Sequence, residues 1–454
     1  MDTLSSISPL DGRYQQQIAA ISDLTSEKGL ITFRLDIEAR WLVFLDTVLA
    51  GGLGLNHSHK EKLRDLSKNL TTSNFQRVKE LEATTNHDVK ACEYFLREFL
   101  THLAVPEKVF SFIHFGLTSE DVNNLAYSLM LQRLRDEFML PAMYTLEEQL
   151  IALIQKTRTQ PMLAYTHGQP ASPTTLGKEL AVFLHRLKNQ RHFLTSIEIY
   201  GKLNGTVGCY HALALAYPSY DWPALCRLFV ENELKLCFNP LTTQIESHDG
   251  LARFAQAMVL YNTIAIGLCQ DIWQYISKKY LGLKKIAGEV GSSTMPHKVN
   301  PIHFENAEGN FGLSNSLCSF FASKLPISRL QRDLTDSTVK RSLGTMVGHH
   351  LLALYSLRTG LSRLDANPEQ MEKDLAASWE VLAEAVQTLL RKNGIKDAYE
   401  QLKEFSRGKE VKREDLLTFV QSLPLDSEER EKLLALSPRD YIGLAVALAD
   451  SVQN

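Results

Sequence analysis

The chain has 454 residues, of which 44% are hydrophobic and 22% are charged. This composition is typical of a globular protein with a large core, and it excludes a disordered chain, a collagen-like repeat and a small disulfide scaffold. Because 49 Lys and Arg residues face 52 Asp and Glu residues, the net charge is only −3, and no overall positive field favours nucleic acid.

Apolar residues recur at helical spacing through most of the chain, and strand alternation is scarce. Pro141 predicts a kink in the first long segment. Ser172 and Pro173 predict the N-cap and first turn of the second. The third is apolar on several faces, as expected for a helix buried in a bundle or an oligomer. The predicted helical segments cover residues 120–159, 172–200, 250–279, 303–324 and 337–363.

These long segments predict an all-α fold built around a bundle of long helices. Beyond residue 365 the helical stretches become shorter and more charged, and glycine and proline separate them. We therefore place soft boundaries near residues 110 and 365. The predicted domains are an N-terminal helical domain (1–110), a central long-helix bundle domain (111–365) and a C-terminal helical domain (366–454).

Cysteine spacing and apolar patterning predict the compartment. The six cysteines are scattered without a C-x-x-C pair, which indicates reduced core residues of a cytoplasmic protein. The first residues, MDTLSSISPLDGRY, lack the basic start and apolar run of a secretory signal. Residues 252–276 form the most apolar long stretch, and we predict that its charged and amide residues make it too polar to span a bilayer.

Five polar stretches between the helical segments concentrate His, Ser, Thr, Asn and Lys residues on backbone that can bend. Functional residues collect on such loops, which a rigid scaffold holds in place. The stretches are DGRY (11–14), TTNHDVK (84–90), HFGLTSED (114–121), THGQP (166–170) and GEVGSSTMPHKVNP (288–301).

The stretch 288–301 is the most informative. Ser292 and Ser293 offer hydroxyl groups, Lys298 and Asn300 offer donors, and a predicted helix N-terminus follows, which favours an anion. The segment could bind a carboxylate beside a serine, which acts as a base only when its alkoxide is stabilised. A flexible polar linker would have the same composition.

Several other patterns allow two interpretations or exclude a class of site. His87, His114 and His167 each lie beside Gly, Asn, Asp or Thr, so each could equally be a cap or a turn residue. No metal-ligand spacing occurs, so we predict no metal, and phosphate loops, dinucleotide fingerprints and nucleophile elbows are also missing from the sequence. The cluster SRLQRDLTDSTVKR (328–341) could hold a phosphate through its arginines or connect two helices.

Residues 291–301 resemble the signature loop of the fumarase/aspartase superfamily, G-S-S-x-M-P-x-K-x-N-P. His297 in the Met-Pro-His-Lys segment resembles adenylosuccinate lyases and carboxymuconate cycloisomerases, whereas fumarases have Gly there. The resemblance to the adenylosuccinate lyase family extends from Ser8 to residues 441–445, nearly the whole chain. It includes residues 85–90, 114–121, 166–170 and 328–341.

The resemblance implies an all-helical, three-domain subunit whose central helices form the core of a homotetramer, with each active site assembled from three subunits. It implies β-elimination of fumarate from adenylosuccinate, giving AMP, and from succinylaminoimidazolecarboxamide ribonucleotide, giving AICAR. No cofactor is expected. The expected partners are small-molecule nucleotides and further copies of the chain, with no nucleic acid and no membrane.

Carried over residue by residue, Ser292 resembles the general base of the family, His167 the general acid, and Glu305 the glutamate that polarises the histidine. Ser292 is chosen over Ser293 by its register. Ser293, Lys298 and Asn300 resemble the clamp on the succinyl carboxylates. The remaining residues expected to bind substrate are Arg13, Tyr14, His114, Arg332, Ser337 and Arg341 toward phosphate and ribose, Asn86, His87, Asp88, Thr118, Ser119 and Gln244 toward the succinyl group and purine edges, and Asn306.

Two alternatives stay open. An argininosuccinate lyase or a fumarase would also release fumarate, although the Met-Pro-His-Lys segment and the arginine-rich cluster favour a nucleotide substrate. A helical tetramer without activity would reuse the scaffold, and the presence of both Ser292 and His167 argues against that interpretation.

Overall fold

A computed structural model describes residues 3–284, 295, 298–406 and 411–452. Most of these residues lie in α-helices, which confirms the predicted all-α class. The chain divides into two compact units. Unit 1 contains residues 1–142, 190–263 and 310–353, and unit 2 contains residues 143–189, 264–309 and 354–454. The domain boundaries at residues 110 and 365 stay predictions.

The α-helices differ in length along the chain, with the longest in the middle. The N-terminal helices are α1 (Gln15–Ile18), α2 (Ser22–Thr25), α3 (Glu27–Val48), α4 (His57–Arg64), α5 (Thr72–Thr85), α6 (Asp88–His102) and α7 (Glu107–Phe110). The middle helices are α8 (Ser119–Arg133), α9 (Leu140–Thr157), α10 (Leu176–Ser196), α11 (His211–Ala216), α12 (Trp222–Leu228), α13 (Asp249–Ser277), α14 (Ile302–Lys324), α15 (Thr335–Lys340) and α16 (Leu343–Ser362). The C-terminal helices are α17 (Pro368–Ala377), α18 (Ala383–Lys392), α19 (Ala398–Ser406), α20 (Arg413–Ser422), α21 (Ser427–Ala435) and α22 (Ala445–Ser451).

Short strands form three two-stranded sheets in the described part of the chain. Two of the sheets are antiparallel, and the pair β3–β4 is parallel. The strands are β1 (Pro161–Thr166) with β2 (Gln169–Thr175), β3 (Tyr200–Gly201) with β4 (Cys237–Phe238), and β5 (Leu281–Leu283) with β6 (Leu364–Ala366).

The helix predicted over residues 172–200 begins later than expected. Ser172 and Pro173 lie in β2, and α10 starts at Leu176. Pro173 pairs with Leu163 next to an irregularity in the register, where a missing N–H group is tolerated in a strand. The cap pattern at Ser172 was therefore misleading, because pairing with β1 determines the local structure.

Two other predicted segments are interrupted. Between α8 and α9 the hydrogen-bond pattern becomes π-helical over Leu134–Met139. This segment lies directly before Pro141, so the expected interruption takes the form of a wider helical turn. The segment 337–363 divides into α15 and α16, with Arg341 between them. The predictions for α13 and α14 are confirmed to within two residues.

Unit 1 has an aromatic and aliphatic core. The Trp41 ring lies 5.1 Å from Phe229 and 5.6 Å from Phe44, centroid to centroid. Its long helices also bury polar side chains, which are hydrogen-bonded to one another. Asn262 on α13 contacts His350 on α16, and Asn310 on α14 contacts His349. The two neighbouring histidines therefore face different helices, as their spacing predicts.

Unit 2 has its own apolar core around α17 to α21. Leu375, Leu390, Leu416 and Val420 are among its fully buried members, and Leu163 of β1 packs against them. The hairpin β1–β2 is therefore attached to this core through Leu163.

Among the described helices, α13 is long and apolar enough to cross a membrane. By length and composition the stretch is therefore less polar than predicted. However, more than half of its most apolar part is buried inside the structure, as in a core helix.

The expectation of core cysteines is only partly right. Four of the six are buried, but Cys237 is half-buried and Cys209 is exposed.

Candidate active site

One face of α3 holds several of the predicted site segments in unit 1. Arg34, Glu38 and Trp41 are spaced four and three residues apart, so they lie on the same side of the helix. All three are buried. Arg34 donates to Asn123 on α8 and pairs with Asp88, while the Trp41 indole donates to the carbonyl of Phe115.

The segment 86–88 connects α5 to α6 in a defined conformation. Asn86 is left-handed, with φ of 50°, and ends α5, while the His87 ring accepts from the Lys90 N–H at the start of α6. Asp88 lies 2.6 Å from Arg34 and 3.4 Å from Arg341. Burial by itself raises the pKa of Asp88, but the two guanidinium groups and the Val89 N–H hold that pKa below its usual value.

A tight turn carries His114 to Thr118 and Ser119. His114 has φ of 56° and Gly116 has φ of 73°, a left-handed conformation that favours glycine. A Cβ on Gly116 would also lie 2.2 Å from the Leu213 side chain. The turn ends at α8, whose first residue is Ser119. The polar groups of Thr118 and Ser119 thus meet the positive end of a helix dipole.

The Asp121 side chain connects the start of α8 to a neighbouring segment through hydrogen bonds and an ion pair. Its carboxylate accepts from the backbone N–H groups of Thr118, Asn204 and Gly205, and it lies 2.8 Å from the Lys202 ammonium. Both charged side chains are fully buried. This ion pair joins Thr118 and Ser119 to the segment 202–205.

The arginine-rich cluster brings three predicted residues together. The Arg332 guanidinium lies 3.4 Å from the Gln244 amide oxygen and 3.4 Å from the Ser337 hydroxyl. It also lies 3.0 Å from Glu120, which orients it. A planar guanidinium beside a hydroxyl and an amide suits the recognition of a phosphate.

Arg341 follows Ser337 by one helical turn. It pairs with Glu27 at 2.8 Å and with Asp88 at 3.4 Å, so the segment 86–88 and the arginine-rich cluster meet at this side chain. Arg13 is exposed and Tyr14 is half-buried, and their neighbour Asp11 lines a cleft that Arg341 also lines.

A cluster of buried charged residues adjoins Arg332 through Glu120. Ligand-type atoms of Glu120, His248 and Asp336 lie within 4.8 Å of one another. The Lys340 ammonium, however, lies 2.9 Å from Glu120 and 2.7 Å from Asp336. An ammonium group therefore already neutralises these carboxylates. Burial by itself raises the pKa of Asp336, but the hydrogen bond from His248 and the Lys340 ammonium together hold that pKa far below its usual value.

In unit 2, His167 lies at the tip of the hairpin β1–β2. His167 and Gly168 form its two-residue turn, with φ of 53° and 74°, as in the tight turns that suit a twisted hairpin. The side chain is exposed. The hairpin therefore holds His167 at an exposed position on a tight turn.

The other predicted residues of unit 2 lie at or before the start of α14. Glu305 is exposed and accepts from the Trp273 indole at 3.2 Å; within the described ranges no hydrogen bond joins it to His167. Lys298 is exposed, and Asn300 and Asn306 are half-buried. Ser292, Ser293 and His297 lie outside the described residues.

Several buried charged residues that support the predicted site segments were not predicted from the sequence. Arg34 and Glu38 belong to the segment FRLDIEARW (33–41), where charged residues recur at helical spacing on a face that also carries Trp41. Two charged residues on the same helical face as a large aromatic residue could have predicted that this face is buried and polar. Lys202 carried no such signal, because its partner Asp121 is distant in the sequence. Lys340 has one near partner, Asp336, but its other partner, Glu120, is also distant in the sequence.

Two family models match the chain. The model described as Lyase covers residues 12–313, and the one described as Adenylosuccinate lyase C-terminal covers residues 328–442. Curated relatives named adenylosuccinate lyase match over nearly the full length of both chains. The Haemophilus influenzae protein is 46% identical over 100% of this chain and 99% of its own, and the Escherichia coli K12 protein is 44% identical over 100% of both.

Solved structures with much lower identity share the fold. A fumarate lyase from Mesorhizobium sp. BNC1 aligns with a TM-score of 0.76 at 20% identity, over 96% of this chain and 97% of its own. A 3-carboxy-cis,cis-muconate lactonizing enzyme from Pseudomonas putida gives 0.75 at 22% identity, over 96% of both chains. Together with the full-length relatives and the conjunction of the signature segment and the arginine-rich cluster, these matches show that the chain belongs to the adenylosuccinate lyase family within the fumarase/aspartase superfamily.

Proposed function

We propose that the chain is a carbon–nitrogen lyase that eliminates fumarate from adenylosuccinate, giving AMP, and from succinylaminoimidazolecarboxamide ribonucleotide, giving AICAR. The observation that carries this proposal is the identity of 44–46% with adenylosuccinate lyases over the full chain. The cluster of Arg332, Ser337 and Gln244 supports it, since a nucleotide phosphate needs such donors.

The proposed reaction is an elimination that consumes no water and involves no oxidation or reduction by a second reactant. A base removes the proton from the carbon next to a succinyl carboxylate, and the resulting dianion expels the nitrogen as the C–N bond breaks. An acid then protonates that nitrogen. We assign the base to Ser292 and the acid to His167, with Glu305 raising the basicity of the histidine.

We assign the binding residues according to the charge and polarity of the substrate group that each would contact. Ser293, Lys298, Asn300 and Asn306 are assigned to the succinyl carboxylates, where extra negative charge develops and donors stabilise it most. Asn86, His87, Asp88, Thr118 and Ser119 are assigned to polar edges of the succinyl group and the purine. Arg13, Tyr14, His114, Gln244, Arg332, Ser337 and Arg341 are assigned to the nucleotide, and no cofactor is included.

The test is fumarate release by the purified chain with adenylosuccinate, argininosuccinate or malate as separate substrates. Turnover of adenylosuccinate alone supports the proposal. Release from argininosuccinate or malate instead would move the chain to another fumarate-releasing lyase. A folded protein without turnover on any of the three would favour an inactive scaffold.

We also propose that the protein is a cytoplasmic homotetramer whose active sites combine residues of different subunits. Mixing the inactive Ser292→Ala and His167→Ala variants should then restore part of the activity, because some sites receive both intact residues. Light scattering and an isotope-labelled subunit establish the oligomer and the exchange. No recovery after verified exchange contradicts shared sites.

A further inference from the structure

Carboxylates from three helices surround His114. The Nδ1 atom of His114 lies 2.5 Å from Glu38 of α3 and 3.9 Å from Glu93 of α6. Asp121 of α8 adds a further negative charge nearby. The histidine side chain is only 15% exposed, so solvent screens these charges weakly.

Two of the three carboxylates have their own ammonium partners. Glu93 lies 2.6 Å from the Lys90 ammonium, and Asp121 lies 2.8 Å from that of Lys202. Glu38 is buried, and its second oxygen, Oε2, accepts no hydrogen bond in the described part of the chain. The His114 ring is therefore the group that compensates the charge of Glu38, and a buried carboxylate is costly without such a partner.

The orientation of the ring is also fixed. Trp41, three residues after Glu38 on α3, donates to the carbonyl of Phe115 at 2.9 Å. The backbone after His114 and the Nδ1 side of its ring are thus both held by one helix. Within the described residues, the contacts of the ring with carboxylates are made by Nδ1 rather than by Nε2.

We propose that Glu38 is a positioning residue that keeps His114 as an imidazolium, so that Nε2–H is a charged donor to an anionic group of the substrate. This inference rests on the proposed function and adds a residue to it. The direction of the pKa shift agrees: burial lowers the pKa of His114, but Glu38, Glu93 and Asp121 together raise it above its usual value of 6.5.

The experiment compares Glu38→Gln with Asp36→Asn in the full-length protein. Asp36 is a matched control because it is a buried carboxylate of the same helix whose partners are Arg40 and Ser67. The His114 ring is titrated by NMR with ¹³C-labelled histidine, and a His114→Gln variant assigns its signal. We expect Glu38→Gln to lower the pKa of His114 by about one unit or more and Asp36→Asn to leave it unchanged.

Kinetic measurements with adenylosuccinate then test whether Glu38 and His114 affect substrate binding. At neutral pH we expect Glu38→Gln to raise KM severalfold, because a smaller fraction of His114 is then protonated, with a smaller effect on kcat. The same substitution in a His114→Gln background should leave KM unchanged. An equal rise in that background, or an unchanged His114 titration in Glu38→Gln, overturns the proposal.

The two proposals fail in different ways. If the unmodified chain releases no fumarate, the proposed function is wrong, whereas the NMR titration still reports on Glu38 and His114. If fumarate is released but the titration and KM do not respond to Glu38→Gln, only the positioning role is wrong.

Discussion

At the scale of single residues, the proposed proton transfers depend on two side chains. We expect His167→Ala and Ser292→Ala to lose turnover by at least about 10²–10⁴-fold, the usual contribution of a positioned acid or base. Fumarate release measured by absorbance provides the rates. The control variants are His57→Ala and Ser316→Ala, which change exposed residues. A near-normal rate in either test variant would remove the role assigned to that residue.

Arg332 tests the binding assignment at the same scale. Its guanidinium contacts Gln244, Ser337 and Glu120, and a lysine cannot reproduce this fork of donors. We expect Arg332→Lys to raise KM for adenylosuccinate by about 10- to 100-fold, as for the loss of a charge-assisted hydrogen bond. Arg329→Lys is the control, since Arg329 is 79% exposed. Equal KM values in the two variants would argue against phosphate binding at Arg332.

At the scale of elements, the ion pair between Lys202 and Asp121 joins α8 to the segment before α11. Both side chains are fully buried, so Lys202→Met leaves a carboxylate without its cation. We expect this variant to lose about 3–5 kcal/mol of unfolding free energy, measured by urea denaturation. Lys68→Met, which breaks an exposed pair with Asp65, should barely move the midpoint. A similar midpoint for both variants would mean that Asp121 finds enough compensation in its backbone donors.

A helix was predictable from the sequence where the spacing of its own apolar residues is sufficient to define it. The apolar run of α13 specifies that helix almost to the residue. The start of α10 was not predictable, because Ser172 and Pro173 form a good local cap but pair with β1 instead. Strand pairing is a tertiary contact, and local propensity does not contain it.

The same distinction applies to the candidate site. Asp88, Arg332 and Arg341 could be proposed from the sequence because their motifs are contiguous and specific. Glu38 was not, since a glutamate within an apolar helix shows its role only when His114, 76 residues later, packs against it. The residues proposed to contact a ligand thus lie in contiguous sequence motifs, whereas the residues that support them are distributed along the chain.

At the scale of the whole molecule, the buried polar contacts of the long helices predict acid sensitivity. His350 is fully buried, and burial lowers its pKa to about 3. The unfolded imidazole titrates near 6.5, so between pH 6.5 and 3 the unfolded chain binds one proton more than the folded chain. Stability should therefore fall as the pH falls through this window, by up to about 1.4 kcal/mol per pH unit from this group.

The measurement is the urea midpoint as a function of pH for the unmodified chain and for His350→Asn. Asparagine can keep a donor toward Asn262 but does not titrate, so the variant should show a shallower slope between pH 6.5 and 4. His57→Asn, at an exposed position, should keep the slope of the unmodified chain. An unchanged slope in His350→Asn would assign the acid sensitivity to other groups.

The pairing of Arg341 with Glu27 spans 314 residues of sequence. A ribosome adding about 5–20 residues per second needs roughly 15–60 s to synthesise that interval. During this time Glu27 and Asp88 have emerged without the guanidinium that later neutralises them, while Arg34 can already hold Asp88. The contact that joins the start of α3 to the end of α15 therefore forms only after most of the chain has been synthesised.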